Sequence, residues 1–169
     1  MKKLISIILL LNILRFKYIE YRIPVKEENK IITKEITNEE KYLLTLEIPK
    51  IKLKRKIYDL ESKNNNVNKN IELLRPFIEP SNKNGIIILA GHNGNSNVSY
   101  FNKLYKLNIN DNIIIEYKQK KYVYQIVNIY DILKTGKAVI KTSNYNNIIV
   151  LITCKGRNKQ TIYIASLIS

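Results

Sequence analysis

Residues 148–154 read Ile-Ile-Val-Leu-Ile-Thr-Cys, an apolar run that ends in the only cysteine of the chain. Residues 85–92 read Gly-Ile-Ile-Ile-Leu-Ala-Gly-His and end in the only histidine. Short apolar runs followed by glycine and asparagine are typical of buried β-strands that lead into turns. Both reactive side chains are therefore predicted at strand–loop boundaries, where scaffolds commonly present functional groups.

This placement predicts a thiol nucleophile, Cys154, with an imidazole partner, His92. Each residue also has an ordinary structural interpretation. A lone cysteine is often a small buried hydrophobe, and a lone histidine is often a surface residue or a satisfied core residue. The similar flanks of Cys154 and His92 favour the catalytic interpretation over the structural one.

Outside these two runs, short segments of alternating apolar and polar residues predict further strands. The predicted strands cover residues 44–48, 51–57, 113–117, 121–133 and 161–168. Residues 71–78 are predicted to form one or two helical turns. A short amphipathic helix is predicted over residues 98–107, with its apolar side at Phe101, Leu104, Tyr105 and Leu107. Many short strands with one or two short helices predict a mainly β domain of the compact barrel class.

The N-terminal residues 1–17 carry the pattern of a signal-anchor. Lys2 and Lys3 precede an almost wholly apolar run from Leu4 to Leu14, and no small-residue cleavage site follows, which favours an uncleaved anchor over a signal peptide. The run is shorter than the roughly 20 apolar residues of a full span. Residues 18–42 are polar and are predicted to be an extracellular stalk or linker, which leaves residues 43–169 as the folded domain. The basic N-terminus predicts that this domain lies outside the cell membrane.

The chain carries a formal net charge of +15. Such a charge favours anionic partners, so a basic binding module is one alternative function. The lysines are spread along the whole chain, however, as on an ordinary solvated surface. No nucleic-acid reader motif is present, and the predicted anchor directs the domain out of the cell, so no nucleic-acid partner is expected.

Five segments, taken in order, resemble the sortases, the membrane-anchored cysteine transpeptidases of Gram-positive bacteria. The segments are Leu46–Ile51, Ile57–Asp59, Leu89–His92, Phe101–Leu104 and Leu151–Cys154. The resemblance implies a closed eight-stranded β barrel over residues 43–169, with His92 and Cys154 at one end of a groove.

The resemblance also implies a reaction. Cys154 attacks a backbone carbonyl of an LPXTG-like sorting signal near the C-terminus of a surface protein, and an acyl-thioester forms. An amine acceptor, from a peptidoglycan precursor or a pilin, then resolves the thioester while His92 exchanges protons with the leaving and incoming amines. The chemistry requires no metal and no organic cofactor.

One site position departs from the sortase pattern. Sortases carry an arginine just before the last strand, and Gln160 occupies that position here. Arg157, three residues earlier, is the candidate for the missing guanidinium, and its alternative is a purely solvated surface role. Gln160 as a neutral donor and Lys159 as a point charge are the other candidates for the arginine position. The departure leaves a second function open, that of a degenerate sortase-like domain that binds sorting signals without efficient turnover.

Overall fold

The computed structural model describes residues 41–81, 84–135, 140 and 146–169. Within these residues lie eight strands, numbered here in chain order. They are β1 (Tyr42–Ile48), β2 (Leu53–Tyr58), β3 (Glu72–Ile78), β4 (Gly85–Gly91), β5 (Asn112–Tyr117), β6 (Lys120–Leu133), β7 (Asn147–Lys155) and β8 (Lys159–Leu167). Single turns of 3-10 helix occupy Pro49–Ile51 and Leu104–Lys106.

The strands form one sheet in the order β2-β1-β5-β6-β8-β7-β4-β3. β4 and β7 run parallel, and the other neighbouring pairs are antiparallel. The sheet curls into a nearly closed barrel, which confirms the predicted mainly β, eight-stranded architecture. Asn70, two residues before the end strand β3, bonds to the other end strand, β2: its side chain donates to the Lys56 carbonyl at 2.8 Å and accepts from Arg55 Nε at 2.9 Å.

Strict alternation along β1 fills the barrel interior. Leu44, Leu46 and Ile48 are buried, and the residues between them are partly exposed, because successive side chains of a strand point to opposite faces. The interior core continues onto the other strands and the 3-10 turns. Its largest fully buried side chains are Tyr124 and Phe101.

β4 and β7 are apolar on both faces. Ile87, Leu89, Ile149 and Leu151 pack in the barrel interior. The intervening residues join a second cluster on the outside of the sheet, called here the outer cluster, which consists of Ile88, Ile148, Val150, Ile152, Ile162 and Ile164. Burial on both faces explains why these strands read as continuous apolar runs.

The predicted hairpin between residues 113–117 and 121–133 is confirmed. β5 and β6 pair antiparallel from Asn112↔Gln125 to Tyr117↔Lys120. Lys118 and Gln119 form the two-residue turn, with φ of 48° and 64°, the backbone twist that matches such a hairpin.

Residues 71–78 are not helical, so that prediction was wrong. The segment forms β3, an end strand of the sheet that pairs antiparallel with β4. Pro76 lies where the register shifts between Leu74 and Ile78. A proline is tolerated at an irregular edge position because no ladder hydrogen bond is required of it.

The amphipathic helix predicted over residues 98–107 is reduced to the single 3-10 turn Leu104–Lys106. Phe101, Leu104 and Leu107 are buried as predicted, but Tyr105 is 72% exposed. The buried residues are spaced by three, which is the period of a 3-10 helix and not that of an α-helix.

The predicted signal-anchor (1–17) and nearly all of the predicted stalk (18–42) lie outside the described residues. Among the residues that are described, no helix has the length and apolar character needed to cross a membrane.

Candidate active site

The parallel pairing of β4 with β7 brings the histidine and the cysteine to the same end of the barrel. Gly91 at the end of β4 is the register partner of Thr153 on β7. His92 and Cys154 are the residues that follow Gly91 and Thr153 in sequence, so each comes directly after a paired strand position. A one-residue difference in register would have turned one of the two side chains to the opposite face of the sheet.

Both side chains belong to the outer face of the sheet. On β7, Ile148, Val150 and Ile152 are in the outer cluster, and Cys154 continues this phase. His92 lies on the same face as Ile88 of β4, because four positions separate the two residues and successive side chains of a strand alternate between faces. Cys154 is partly exposed and is not in a disulfide, and His92 is likewise partly exposed. The thiol and the imidazole are therefore both open to a ligand on one face.

Hydrogen bonds hold the two strand ends together. The Thr153 hydroxyl, which is buried, donates to the Gly91 carbonyl at 2.9 Å. Beyond the strand, the Asn93 side-chain amide donates to the Cys154 carbonyl at 2.9 Å. One bond involves the residue before His92 and the other the residue after it, so both hold this segment to the end of β7.

The His92 backbone and ring are each fixed by a separate contact. The Phe101 N–H donates to the His92 carbonyl at 3.1 Å. The Asn68 Oδ1 atom lies 3.1 Å from His92 Nε2. Since an amide oxygen accepts, Nε2 carries a proton in this arrangement, and Nδ1 is the ring atom that can exchange a proton.

Gln160 lies opposite Cys154 in the antiparallel ladder of β7 and β8. It shares the outward phase of Ile162 and Ile164, both members of the outer cluster. Arg157 instead lies exposed in the short turn between the two strands. Gln160, rather than Arg157, is thus the polar side chain whose strand position adjoins the thiol.

A charged group lies on the opposite, inward-facing side of the same strand end. Lys155 Nζ donates to Asp131 Oδ2 at 2.6 Å, and Thr161 Oγ1 donates to Asp131 Oδ1 at 2.8 Å. These two bonds, led by that from Lys155, hold the pKa of Asp131 below its usual range. In the described part of the chain, no group of three or more His, Cys, Asp or Glu side chains is arranged to hold a metal ion.

Four residues at or beside this site were not identified from the sequence: Asn68, Asn93, Thr153 and Asp131. Asn68 belongs to an asparagine-rich loop, predicted only as a loop, in which nothing distinguishes one asparagine from another. Thr153 and Asn93 are adjacent to the two predicted catalytic residues, and that adjacency is the one sequence signal that could have singled them out.

Comparison with known proteins identifies the family. The sortase-domain family model matches residues 46–168. This span covers most of the eight-stranded barrel, and the chain belongs to the sortase family of transpeptidases. No curated protein matches the sequence significantly.

Solved structures share the fold. A lid mutant of Corynebacterium diphtheriae sortase A matches with a TM-score of 0.66 and 20% identity over 79% of this chain and 73% of that one. A Clostridium perfringens sortase D5 transpeptidase matches with a TM-score of 0.60 and 24% identity over 76% and 79%. Streptococcus agalactiae sortase C1 matches with a TM-score of 0.62 and 20% identity over 76% and 68%.

Proposed function

We propose that this protein is a cysteine transpeptidase in which Cys154 is the nucleophile and His92 is the general acid and base. Its first substrate is an LPXTG-like sorting signal of a surface protein, and its second is an amine of the cell wall, carried by a peptidoglycan precursor or a pilin. The observation that carries the proposal is the Gly91↔Thr153 register, which directs His92 and Cys154 to one face at one end of the barrel.

In the first half-reaction, the Cys154 thiolate attacks the scissile carbonyl carbon of the sorting signal. The tetrahedral intermediate collapses as the C–N bond breaks, and His92 in its protonated form gives its proton to the departing amine. The products are a Cys154 acyl-thioester, neutral His92 and the released C-terminal peptide. The covalent intermediate divides one difficult acyl exchange into two easier steps.

In the second half-reaction, a neutral amine attacks the thioester carbon. Its proton passes to His92, the C–S bond breaks, and the thiolate is regenerated beside a protonated imidazole. Asn68 accepts from Nε2 and so orients the ring with Nδ1 available for both transfers. The new amide joins the surface protein to the acceptor.

The oxyanion that develops in both steps needs a hydrogen-bond donor. We assign this role to Gln160, which lies opposite Cys154 and has two amide N–H donors. Arg157, the candidate from the sequence, lies in the exposed turn. A neutral amide lacks the charge and the bidentate fork of a guanidinium, so the proposed enzyme is slower than one that carries arginine here.

We further propose that residues 1–17 anchor the protein in the cell membrane and that the catalytic domain is extracellular. The support is the sequence pattern of two lysines followed by an apolar run. Fractionation of expressing cells should recover the full chain with membranes, and protease added outside intact cells should remove the domain. Recovery in the soluble fraction would contradict the anchor.

In the decisive experiment, the full chain is incubated with a panel of LPXTG-like peptides, with and without triglycine, and the intact mass of the protein is measured. We expect a Cys154 adduct that triglycine converts into a ligated peptide. The Cys154→Ala variant, matched in all other respects, should form neither. An active Cys154→Ala variant would overturn the assignment of the nucleophile.

A degenerate sortase-like domain is the second candidate, favoured by the glutamine at position 160. It predicts that a sorting peptide binds with similar affinity to wild-type and Cys154→Ala protein and that no adduct accumulates. Saturable peptide binding with no adduct from any peptide, in protein shown to be folded, would therefore replace the transpeptidase proposal with this one.

A further inference from the structure

A cavity of about 360 Å³ opens at the active-site end of the barrel. Thr153 and Asn93 contribute to its wall, and these are the two residues whose hydrogen bonds connect the ends of β4 and β7. The cavity thus adjoins the Cys154 backbone from the inward-facing side of the strand ends, while the thiol belongs to the outward-facing side. Its volume is within the range of small-ligand sites.

The cavity wall carries an ion pair, because both Asp131 and Lys155 line it. Asp131 is the one carboxylate among the described lining residues. Its two oxygens accept one hydrogen bond each, from Lys155 and Thr161. A carboxylate has about four acceptor sites in all, so Asp131 retains the capacity to accept from a further cation.

The remaining wall is suited to a slender peptide chain. Leu107 and Tyr163 provide buried apolar surface, and Tyr105 stands at the rim with 72% of its surface exposed. Aromatic faces pack against aliphatic or peptide groups and attract cations. Together with the hydroxyls of Thr153 and Thr161, they offer contacts to both the backbone and the end of a flexible amine-bearing chain.

We propose that this cavity is the binding site of the acceptor, a primary amine on a flexible peptide chain, and that Asp131 attracts its ammonium group. This inference rests on the transpeptidase function proposed above. The two faces separate the two substrates: the sorting signal approaches the partly exposed Cys154 and His92 from the outer face, whereas the amine approaches from the side on which Asp131 can accept a further hydrogen bond. The amine then reaches Cys154 across the strand end, beside Asn93.

Asp131 recruits the acceptor and does not activate it. A carboxylate stabilises the ammonium form, which has no lone pair for attack. One proton therefore leaves to solvent as the amine moves from Asp131 to the thioester. The second passes to His92 as the C–N bond forms and the C–S bond breaks. The expected signature of Asp131 is an effect on the acceptor KM, with little effect on the rate at saturating acceptor.

Lys155 competes with the acceptor for Asp131, so substitutions of Asp131 and of Lys155 are expected to change the acceptor KM in opposite directions. Asp131→Asn should raise the acceptor KM by about five-fold, the size of an exposed ion-pair contribution, whereas Lys155→Gln should lower it. If the pair is merely structural, both variants lose the same contact and shift KM in the same direction, which would overturn the inference. The rate of acyl-enzyme formation without acceptor is measured in each variant, so that a general defect is recognised.

A binding experiment separates this inference from the transpeptidase proposal. Triglycine amide and Nα-acetyl-lysine amide are titrated into ¹⁵N-labelled full-length Cys154→Ala protein, with N-acetyl-triglycine amide as the neutral control. We expect changes in the amide chemical shifts of Asn93, Thr153 and Thr161 with the two amines. The changes should be weaker with the neutral control, and weaker when the protein carries Asp131→Asn in addition to Cys154→Ala. These chemical-shift changes are expected whether or not an acyl-enzyme forms. Acyl-enzyme formation with no amine-dependent change at these residues would overturn the cavity assignment alone. The comparison of the two amines distinguishes an α-amine acceptor from a lysine side chain.

Discussion

Cys154 and Gln160 face each other across the β7–β8 ladder. Residues paired in this way have Cβ atoms about 5 Å apart, so the side chain at position 160 is within reach of a group that reacts at the thiol. The short turn keeps Arg157 in an exposed position, separated from Cys154 by Lys155 and Gly156. The identity of residue 160 is therefore expected to control the stabilisation of the oxyanion.

Replacing Gln160 with arginine should make the enzyme faster. The loss of one oxyanion donor typically costs about 10²–10³ in rate, and Gln160→Arg exchanges a weak neutral donor for a charged, bidentate one. We expect the rate of acyl-enzyme formation to increase about ten-fold, measured by intact mass at short times. Arg157→Ala is the matched control and should change the rate less than two-fold. A large loss in Arg157→Ala, with no gain in Gln160→Arg, would return the arginine role to Arg157.

The contact between Asn68 and His92 provides a second prediction. Asn68→Ala removes the acceptor 3.1 Å from Nε2 and leaves the ring free to rotate. A typical hydrogen bond contributes about 1 kcal/mol, so we expect acyl-enzyme formation to slow by roughly five- to ten-fold. Rapid-quench kinetics with the sorting peptide measures this rate.

Asn64→Ala is the matched control for Asn68→Ala. Asn64 lies in the same loop and accepts from Lys69 at 2.8 Å, whereas the contact with His92 Nε2 is made by Asn68. The control should retain the wild-type rate and a similar free energy of unfolding. Equal losses in both variants would mean that the loop as a whole, and not the Asn68–His92 contact, supports catalysis.

The sequence predicted the parts of the fold that are encoded locally. The alternation in β1 and the apolar runs of β4 and β7 determine strands whatever their partners. Residues 71–78 were mispredicted because their strand depends on pairing with β4, and Pro76 is accommodated at a register shift between the two strands. The 98–107 segment was mispredicted because a spacing of three and a spacing of 3.6 are hard to separate over a single turn.

The same division applies to the site. The placement of Cys154 and His92 at strand ends could be predicted because each is the only residue of its type and each ends a recognisable apolar run. Asn68 could not, since its role depends on how a loop with several asparagines folds over the histidine. The Asp131 contact could not either, because it joins three strands that only the tertiary fold brings together.

Gly91 should not tolerate a side chain. A Cβ atom at this position would lie 2.7 Å from Phe101 Cδ2. The Phe101 ring is buried, and the backbone N–H of the same residue donates to the His92 carbonyl. We expect Gly91→Ala to reduce the free energy of unfolding by about 1–3 kcal/mol, as overpacking does, and to slow acylation by displacing His92. Urea denaturation and adduct kinetics measure the two effects.

Gly94→Ala is the control for Gly91→Ala, on the other side of His92. Among the described residues, a Cβ atom there meets only Ser99 Oγ, at 3.4 Å, so both stability and acylation should remain close to wild type. A Gly91→Ala protein as stable and active as Gly94→Ala would show that Phe101 can move aside and that the packing behind His92 is not a constraint.

The Asp131 carboxylate should make stability depend on pH in a predictable direction. The hydrogen bond from Lys155, followed by that from Thr161, lowers its pKa in the folded protein below the unfolded value of about 3.9. The stabilisation is therefore fully present above that value and is lost as the pH falls through the lower, folded-state pKa.

Asp131→Asn retains an oxygen for Thr161 and removes only the charge. Wild type should exceed this variant in free energy of unfolding at pH 7, and the difference should shrink towards pH 3. It should also shrink at pH 7 in about 1 M salt, because the pair is exposed and screened. A difference that stays constant from pH 7 to pH 3 would mean that the pair adds nothing through charge and that Asp131 acts through hydrogen-bond geometry alone.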